Sequence, residues 1–565
     1  MPPWNYRSKL LHILLLPCVI AASLSLRNNV STTLDPSAAN KTNGCKYNFT
    51  VYVYPTPPLL SSLRIAEEAR ANLSLHVCRK CILEQFSLEY IIYDFFTQFC
   101  GRTYEPSTAD FFYLPIIRDA ELRWMMQGGS YRDRPPSSAE GALLMLLEKN
   151  DSSKFIDYFQ VPDTYWRRKN GADHIIVMPA PVTNLRHERN ARGFFHYMLH
   201  LHSPIFVAVE YSLSFVREYP VCATRKNILL PYPTIDPELF SNQWQNPPIE
   251  QNRSALLFYA GGMHGDCMLV RTALRDLMRN CSRLPGVLPK MKLNIDKREA
   301  AFLKSTFCPV PIGDSPSSKR MYDVLNFGCI PVILSDDLIW AFSSQAGGRL
   351  DPTSFSIQVP QATVYLTVEE LLVRYKSSDF GRLPVSNILL YDLLNGTSTL
   401  FEESLSKGRY INPLLRILAQ IPYEDILFYR RNIIKYASLC RFYRMNSMDH
   451  IPIAHHKLPD GETIEEFARL LTQRKREGTM NISASCREEV KLPGHKYVAS
   501  YPCDRPIAAK NSKSKARSKP KKPAALVNEK ESSSKPTSSI GIQAAGKAAR
   551  YRRRILSRQS SLRQN

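Results

Sequence analysis

The chain has 565 residues, 44% of them apolar and 10% aromatic, enough for a large core and too much for a mini-protein or a wholly disordered chain. With 23 Gly and no sustained heptad, collagen-like and coiled-coil classes are excluded too. The 74 Lys+Arg against 51 Asp+Glu leave +23, a surplus that ordinarily points to nucleic acid, an anionic membrane or an acidic polymer.

The N-terminus argues against the nucleic-acid option. Arg7 and Lys9 precede an apolar run over 10–26 in which only His12, Ser23 and Ser25 are polar. A basic flank followed by an apolar run is a targeting segment. Two readings stay open: a signal-anchor that keeps 1–9 in the cytosol, or a cleaved signal peptide with Ala21-Ala22-Ser23 as its small-residue site. Either sends the rest into the secretory lumen. Residues 27–45 are a polar stem. Asn-x-Ser/Thr sequons begin at Asn29, Asn40, Asn48, Asn72, Asn150, Asn252, Asn280, Asn395 and Asn481. Of the 13 cysteines, Cys18 lies in the apolar run, and the others suit an oxidising compartment, with the pairing left open. Cys78-x-x-Cys81 has no second half of a zinc site, so both are read as disulfide cysteines.

Ordered sequence begins at Lys46. Strands are predicted at 51–54, 109–115, 174–178, 206–209 and 227–230, with a helix over 83–99. A polar stretch with Pro247-Pro248 reads as a linker. A second series follows: strand 255–260, helix 266–279, strand 290–295, helix 298–304, strand 306–310, helix 315–327 and strand 330–334. Further helices are predicted at 368–375 and 423–443. Strands alternating with helices imply an α/β fold with mostly parallel sheets, and two such units suit an enzyme that clamps two substrates. The boundaries that follow are 46–245, 246–445, a C-terminal extension over 446–504 and a basic tail over 505–565. The tail carries 17 Lys+Arg against Glu529 and Glu531, so it holds +15 of the total charge, and its composition predicts disorder.

Chemistry concentrates in 307–323. A strand runs into a loop with Gly313, and Ser315-Pro316 looks like an N-cap and first helical residue. The helix start would then present free N–H groups to an anion such as a diphosphate. Ser317 and Ser318 add hydroxyl donors, and the Arg320 fork suits phosphate oxygens. Asp323, three residues on, shares the Arg320 face, where it either accepts from ribose hydroxyls or forms a plain ion pair. No Walker lysine motif or GxGxxG occurs.

The ordered motifs resemble the exostosin-like family, glycosyltransferase family 47. They are Val51-Tyr52-Val53-Tyr54; Arg102-Thr103 with Pro106 and the 109–115 block; Tyr165-Trp166-Arg167 with Gly171-Ala172-Asp173-His174; Lys226-Asn227-Ile228 through Pro231-Tyr232-Pro233; and Leu257-Phe258-Tyr259-Ala260-Gly261. The most specific is the Gly313–Asp323 block with Gly328-Cys329-Ile330-Pro331-Val332 and Ser335-Asp336-Asp337. The resemblance implies a GT-B fold of two Rossmann-like domains facing a cleft, the first for acceptor and the second for donor. It also implies a nucleotide-sugar donor, inversion at the anomeric carbon, no required metal or other cofactor, and type II Golgi topology. On this chain Gly313, Ser315, Ser317 and Ser318 would line the phosphate loop, Arg320 would hold the diphosphate and Asp323 the ribose or base. The family's "ELPF" is replaced by Ile339-Trp340-Ala341-Phe342, which is expected to reshape that side of the pocket.

Inversion needs a base at the acceptor hydroxyl. Asp119 and Glu121, beyond the 109–115 strand, are the candidates, against a reading as solvated surface acids. Asp173-His174 reads as structural. The expected partners are the donor, a glycan or glycoprotein acceptor, the Golgi membrane, and a paralogue or second copy, with no nucleic acid. The alternative function is a non-catalytic lumenal glycan-binding or assembly subunit. The tail is expected to hold anionic glycans or a Golgi partner by salt-sensitive attraction.

Overall fold

The computed structural model describes residues 44–55, 88–115, 153, 156, 159–179, 203–234, 249–250, 252–262, 268–280, 295–313, 315–374, 412–442 and 459–491. The apolar run at 10–26, the tail at 505–565, Cys78, Cys81, Asp119 and Glu121 lie outside the described residues. Among those described, no helix is long and apolar enough to cross a membrane.

The first half is a parallel sheet of β1 Val51–Val53, β2 Arg102–Thr103, β3 Phe111–Tyr113, β4 His174–Met178, β5 Ile205–Ala208 and β6 Ile228–Leu229, in the order β2-β1-β3-β4-β5-β6. Its helices are α1 Leu88–Gln98, α2 Thr164–Arg167 and α3 Leu213–Glu218. Every residue of β3, β4 and β5 is buried, which is why these strands read as unbroken apolar runs rather than alternating ones. Phe112 lies opposite His174 and Ile175 opposite Ile205, so the 109–115 and 174–178 motifs are neighbours.

The second half is a parallel sheet in the order β10-β9-β8-β7, from β7 Ala255–Leu257, β8 Ser305–Pro311, β9 Ile330–Leu334 and β10 Ile357–Gln358. Around it run α4 Met268–Asn280, α5 Ile295–Lys304, α6 Arg320–Asn326, α7 Val368–Arg374, α8 Pro413–Ala419 and α9 Tyr423–Ala437. The strands at 174–178 and 330–334 fall where periodicity and composition put them. Ile295, expected to end a strand, instead opens α5.

Beyond the second half, α10 Glu462–Glu477 and α11 Thr479–Lys491 return to the first sheet. Phe467 packs edge-on against Phe95 and Phe96 at 6.1 and 5.8 Å. The Glu489 carboxylate accepts the Val221 and Cys222 N–H groups at 2.8 and 2.9 Å. Buried Arg474 donates to the carbonyls of Thr224 and Asn227. A Cys222–Cys486 disulfide locks this return. A second bond, Cys45–Cys100, ties the chain ahead of β1 to the lead into β2. A third, Cys308–Cys329, joins β8 to the residue before β9 and so closes the loop that holds α6.

Candidate donor site at the strand ends

In a parallel sheet, ligands collect at the carboxyl ends of the strands. Here the end of β5 and the end of β8 meet. Two residues past β5, Glu210 is 2% exposed and turns its carboxylate onto the loop that follows β8. Its Oε2 accepts from Ser315 Oγ at 2.5 Å, from Ser317 N at 2.9 Å and from Ser317 Oγ. Its Oε1 is buried with no hydrogen-bond partner among the described residues. Burial, reinforced by Asp337 and opposed by the serine donors, pushes the Glu210 carboxyl up to about 7.

This contact corrects the expectation for Ser315. It is not an N-cap, and Pro316 does not open a helix. Residues 315–318 are non-helical, and α6 begins at Arg320, leaving a helix of 7 residues. The reason is tertiary. The Ser317 N–H and both hydroxyls are drawn to Glu210, while Ser335 Oγ donates to the Pro316 carbonyl at 2.8 Å. A local Ser-Pro preference is worth about 1 kcal/mol, less than several buried hydrogen bonds together. The helix-terminus argument for a diphosphate therefore does not hold.

Positive charge enters the loop from side chains instead. Arg271 of α4 donates from Nε to the Ile312 carbonyl at 3.2 Å and from Nη1 to the Gly262 carbonyl at 3.1 Å. Gly313 makes this approach possible, since a Cβ there would sit 2.0 Å from Arg271 Nη2. Arg320 lies with its guanidinium 4.8 Å from the Tyr259 ring centre and donates to the Ala260 carbonyl. Burial lowers its pKa, Tyr259 opposes that, and the positive charges of Arg271 and Arg298 lower it further. A cation whose pKa is lowered by burial and by like charges gains from a nearby anion.

Asp323 is buried and pairs with Lys319 at 2.5 Å rather than with Arg320. Ser318 is half-buried, and its carbonyl accepts the Met321 N–H at 3.0 Å. Asp336 accepts the Gln361 N–H at 2.9 Å. Asp337 accepts Ser214 N and Oγ at 2.6 and 2.8 Å, seating α3 of the first half on the second. Both carboxylates thus bind backbone N–H groups, as strand-end caps do. Trp340 is core, edge-on to Tyr322 of α6 at 5.5 Å, so the altered 339–342 segment supports the helix from behind. Among the described residues, no group of three or more His, Cys, Asp or Glu is placed to hold a metal ion.

His174 is a core residue. Its ring stacks on Phe112 at 4.8 Å, its Nδ1 lies 2.9 Å from Asp173 Oδ1, and its Nε2 lies 3.0 Å from Tyr54 OH. Burial lowers its pKa, so the neutral ring donates to Asp173 and accepts from Tyr54. Asp173 also receives Arg168 at 3.1 Å and Lys169 at 3.4 Å. Sequence reasoning missed Glu210 and Arg271. Glu210 carried one signal, an acid at the end of a buried apolar strand. Arg271 sits in an ordinary amphipathic helix and carried none.

Comparison with known proteins agrees with the ordered motifs. "Probable glucuronosyltransferase 47 A" of Physcomitrium patens is 25% identical over 273 residues, 47% of this chain and 55% of that protein. "Probable glucuronosyltransferase GUT1" of Oryza sativa subsp. japonica is 24% identical over 303 residues, 52% of this chain and 64% of the relative. "Probable beta-1,4-xylosyltransferase IRX10" of Arabidopsis thaliana is 23% identical over 305 residues, 52% of this chain and 65% of that one. The matches thus span less than two thirds of these relatives' length. The family model described as the Exostosin GT47 domain matches residues 45–373, from the first disulfide through both sheets and the loop between Glu210 and Arg271, and the chain belongs to that family.

Proposed function

We propose that this protein is an inverting glycosyltransferase of GT-B architecture that moves a sugar from a nucleotide-sugar, a UDP-sugar, to a glycan or glycoprotein acceptor. The observation that carries the reading is Arg271 reaching the loop opened by Gly313, inside the family's most specific block, with Arg320 held close by on Tyr259 and Ala260. The acceptor oxygen attacks the anomeric carbon, the bond to the diphosphate breaks, and the guanidinium groups stabilise the charge that develops on the departing phosphate. The acceptor proton passes to a carboxylate, for which Asp119 and Glu121 are the proposed candidates. Asp323 would exchange Lys319 for a ribose hydroxyl when donor binds. Glu210 is a positioning residue, because it holds the Ser315–Ser317 backbone in place. The names of the relatives support glucuronosyl or xylosyl transfer as the first donors to try. The apolar run at 10–26 with its basic flank supports a type II Golgi-membrane placement with the catalytic region in the lumen.

The test is a screen of the purified chain against UDP-glucuronate, UDP-xylose and other nucleotide sugars, by calorimetry and product formation. Binding of UDP that survives unchanged in both Arg271→Ala and Arg320→Ala would overturn the site. Binding without transfer to any acceptor would favour a glycan-assembly subunit. Mobility that glycosidases do not change would remove the lumenal placement.

A further inference from the structure

A second polar cleft, of about 610 Å³, lies at the opposite edge of the first sheet. The donor loop and Glu210 leave the carboxyl ends of the strands. This cleft is at the amino ends. Lys46 and Tyr47, ahead of β1, form one wall, and α10 forms another. There Lys475 Nζ reaches the Asn48 carbonyl at 3.0 Å and the Asp110 carboxylate at 2.8 Å, just before β1 and β3. A loop from the second half supplies the third wall. Gly347 seats that loop at φ 75°, where a Cβ would meet the Thr224 carbonyl oxygen at 2.3 Å.

The lining is unevenly charged. Lys46 is paired with Glu465 at 2.9 Å and Arg469 with Glu466 at 2.5 Å. Arg349 and Arg476 also line the cleft and are exposed, with no acid in ion-pair reach among the described residues. They come from the Gly347 loop and from α10, so their placement in one cleft is a product of the fold. Tyr47 offers a half-buried ring beside them, and Thr472 a hydroxyl. Two free guanidinium forks, one aromatic face and neutral hydroxyl chemistry make a combination suited to a carboxylate-bearing sugar. The forks take carboxylates in bidentate fashion, and the ring covers the apolar face of a pyranose. The volume is in the range of ordinary small-ligand sites.

We infer that this cleft is a secondary binding site for an acidic oligosaccharide, one that holds a uronate-bearing chain at the edge of the protein away from the donor loop. The inference goes beyond the donor assignment and does not depend on it. Binding of galacturonate oligomers to the full chain is measured by calorimetry at about 0.15 M salt, beside the same oligomers reduced to the neutral sugar. The comparison is then repeated in the Arg349→Ala/Arg476→Ala double variant and in Thr472→Glu. The basic tail is the same in all of these, so differences report the cleft. The expected result is at least about tenfold weaker binding of the neutral oligomer, and of the acidic oligomer by either variant, with UDP binding and melting temperature unchanged. Equal affinity of wild type and both variants overturns the site. Equal affinity for acidic and neutral oligomers overturns the role of charge. A glutamate peptide that binds as well as the oligomer overturns the sugar as ligand. Loss of UDP binding in the variants instead places the cleft within the donor machinery and overturns its separateness.

Discussion

Glu210 and Ser317, 107 residues apart in sequence, share one carboxylate oxygen that takes both the N–H and the hydroxyl of the serine. The contact joins the end of a strand in one sheet to the loop after a strand in the other. It makes the shape of the candidate donor loop depend on the first half of the molecule.

That carboxyl makes stability depend on pH. Its folded pKa, about 7, lies above its ordinary 4.5, so the folded state binds the proton more tightly. The corresponding stability is fully present below about pH 4.5 and is lost as pH rises through about 7. The size is on the order of 3 kcal/mol. Denaturant titrations between pH 4.5 and 8 should show the Glu210→Gln variant losing less stability over that window than wild type. Parallel slopes would contradict the assignment.

Arg271→Ala and Arg320→Ala should each weaken UDP binding about tenfold or more, since each removes a charged donor. Lysine at either position should restore part of it, because a point charge replaces only some of a fork. Calorimetric titration with UDP checks both.

Gly313→Ala separates folding from binding. The added Cβ meets the end of the Arg271 side chain, which can move, and its three nearest atoms all belong to that side chain. The melting temperature should change little while UDP affinity falls, because Arg271 is pushed off the loop. A wild-type affinity in a folded G313A protein would argue that Arg271 does not face the ligand.

Removing the Cys308–Cys329 bond by a double Ser substitution opens a crosslink of 21 residues around α6. The expected loss is about 3 kcal/mol on a chain-entropy estimate, read as a lower denaturation midpoint. Because the crosslink encloses the candidate donor loop, donor affinity should drop as well.

Asp173→Asn tests the core reading of the neighbouring histidine. His174, Arg168 and Lys169 all face that carboxylate, and burial works against its charge, yet the net effect holds its pKa below the ordinary value. The variant should lose stability above about pH 4, the range in which the wild-type carboxylate is ionised, and lose little at lower pH. A full loss of transfer activity with unchanged stability would show instead that the pair takes part in the chemistry.

The sequence by itself determined the α/β class, the strands of β4 and β9 at their bounds and the order of the family motifs. These features rest on short-range information: unbroken apolar runs in doubly covered strands, glycine and proline at loops, and motif spacing. The tertiary structure alone decided that α6 begins at Arg320 rather than Ser315 and that α10 and α11 pack back onto the first half. It also brought Glu210 and Arg271 to the candidate donor loop and placed Arg349 and Arg476 in one cleft. Each of these joins residues from separate elements or replaces a local preference with buried hydrogen bonds, and no short window of sequence contains both partners of a long-range contact.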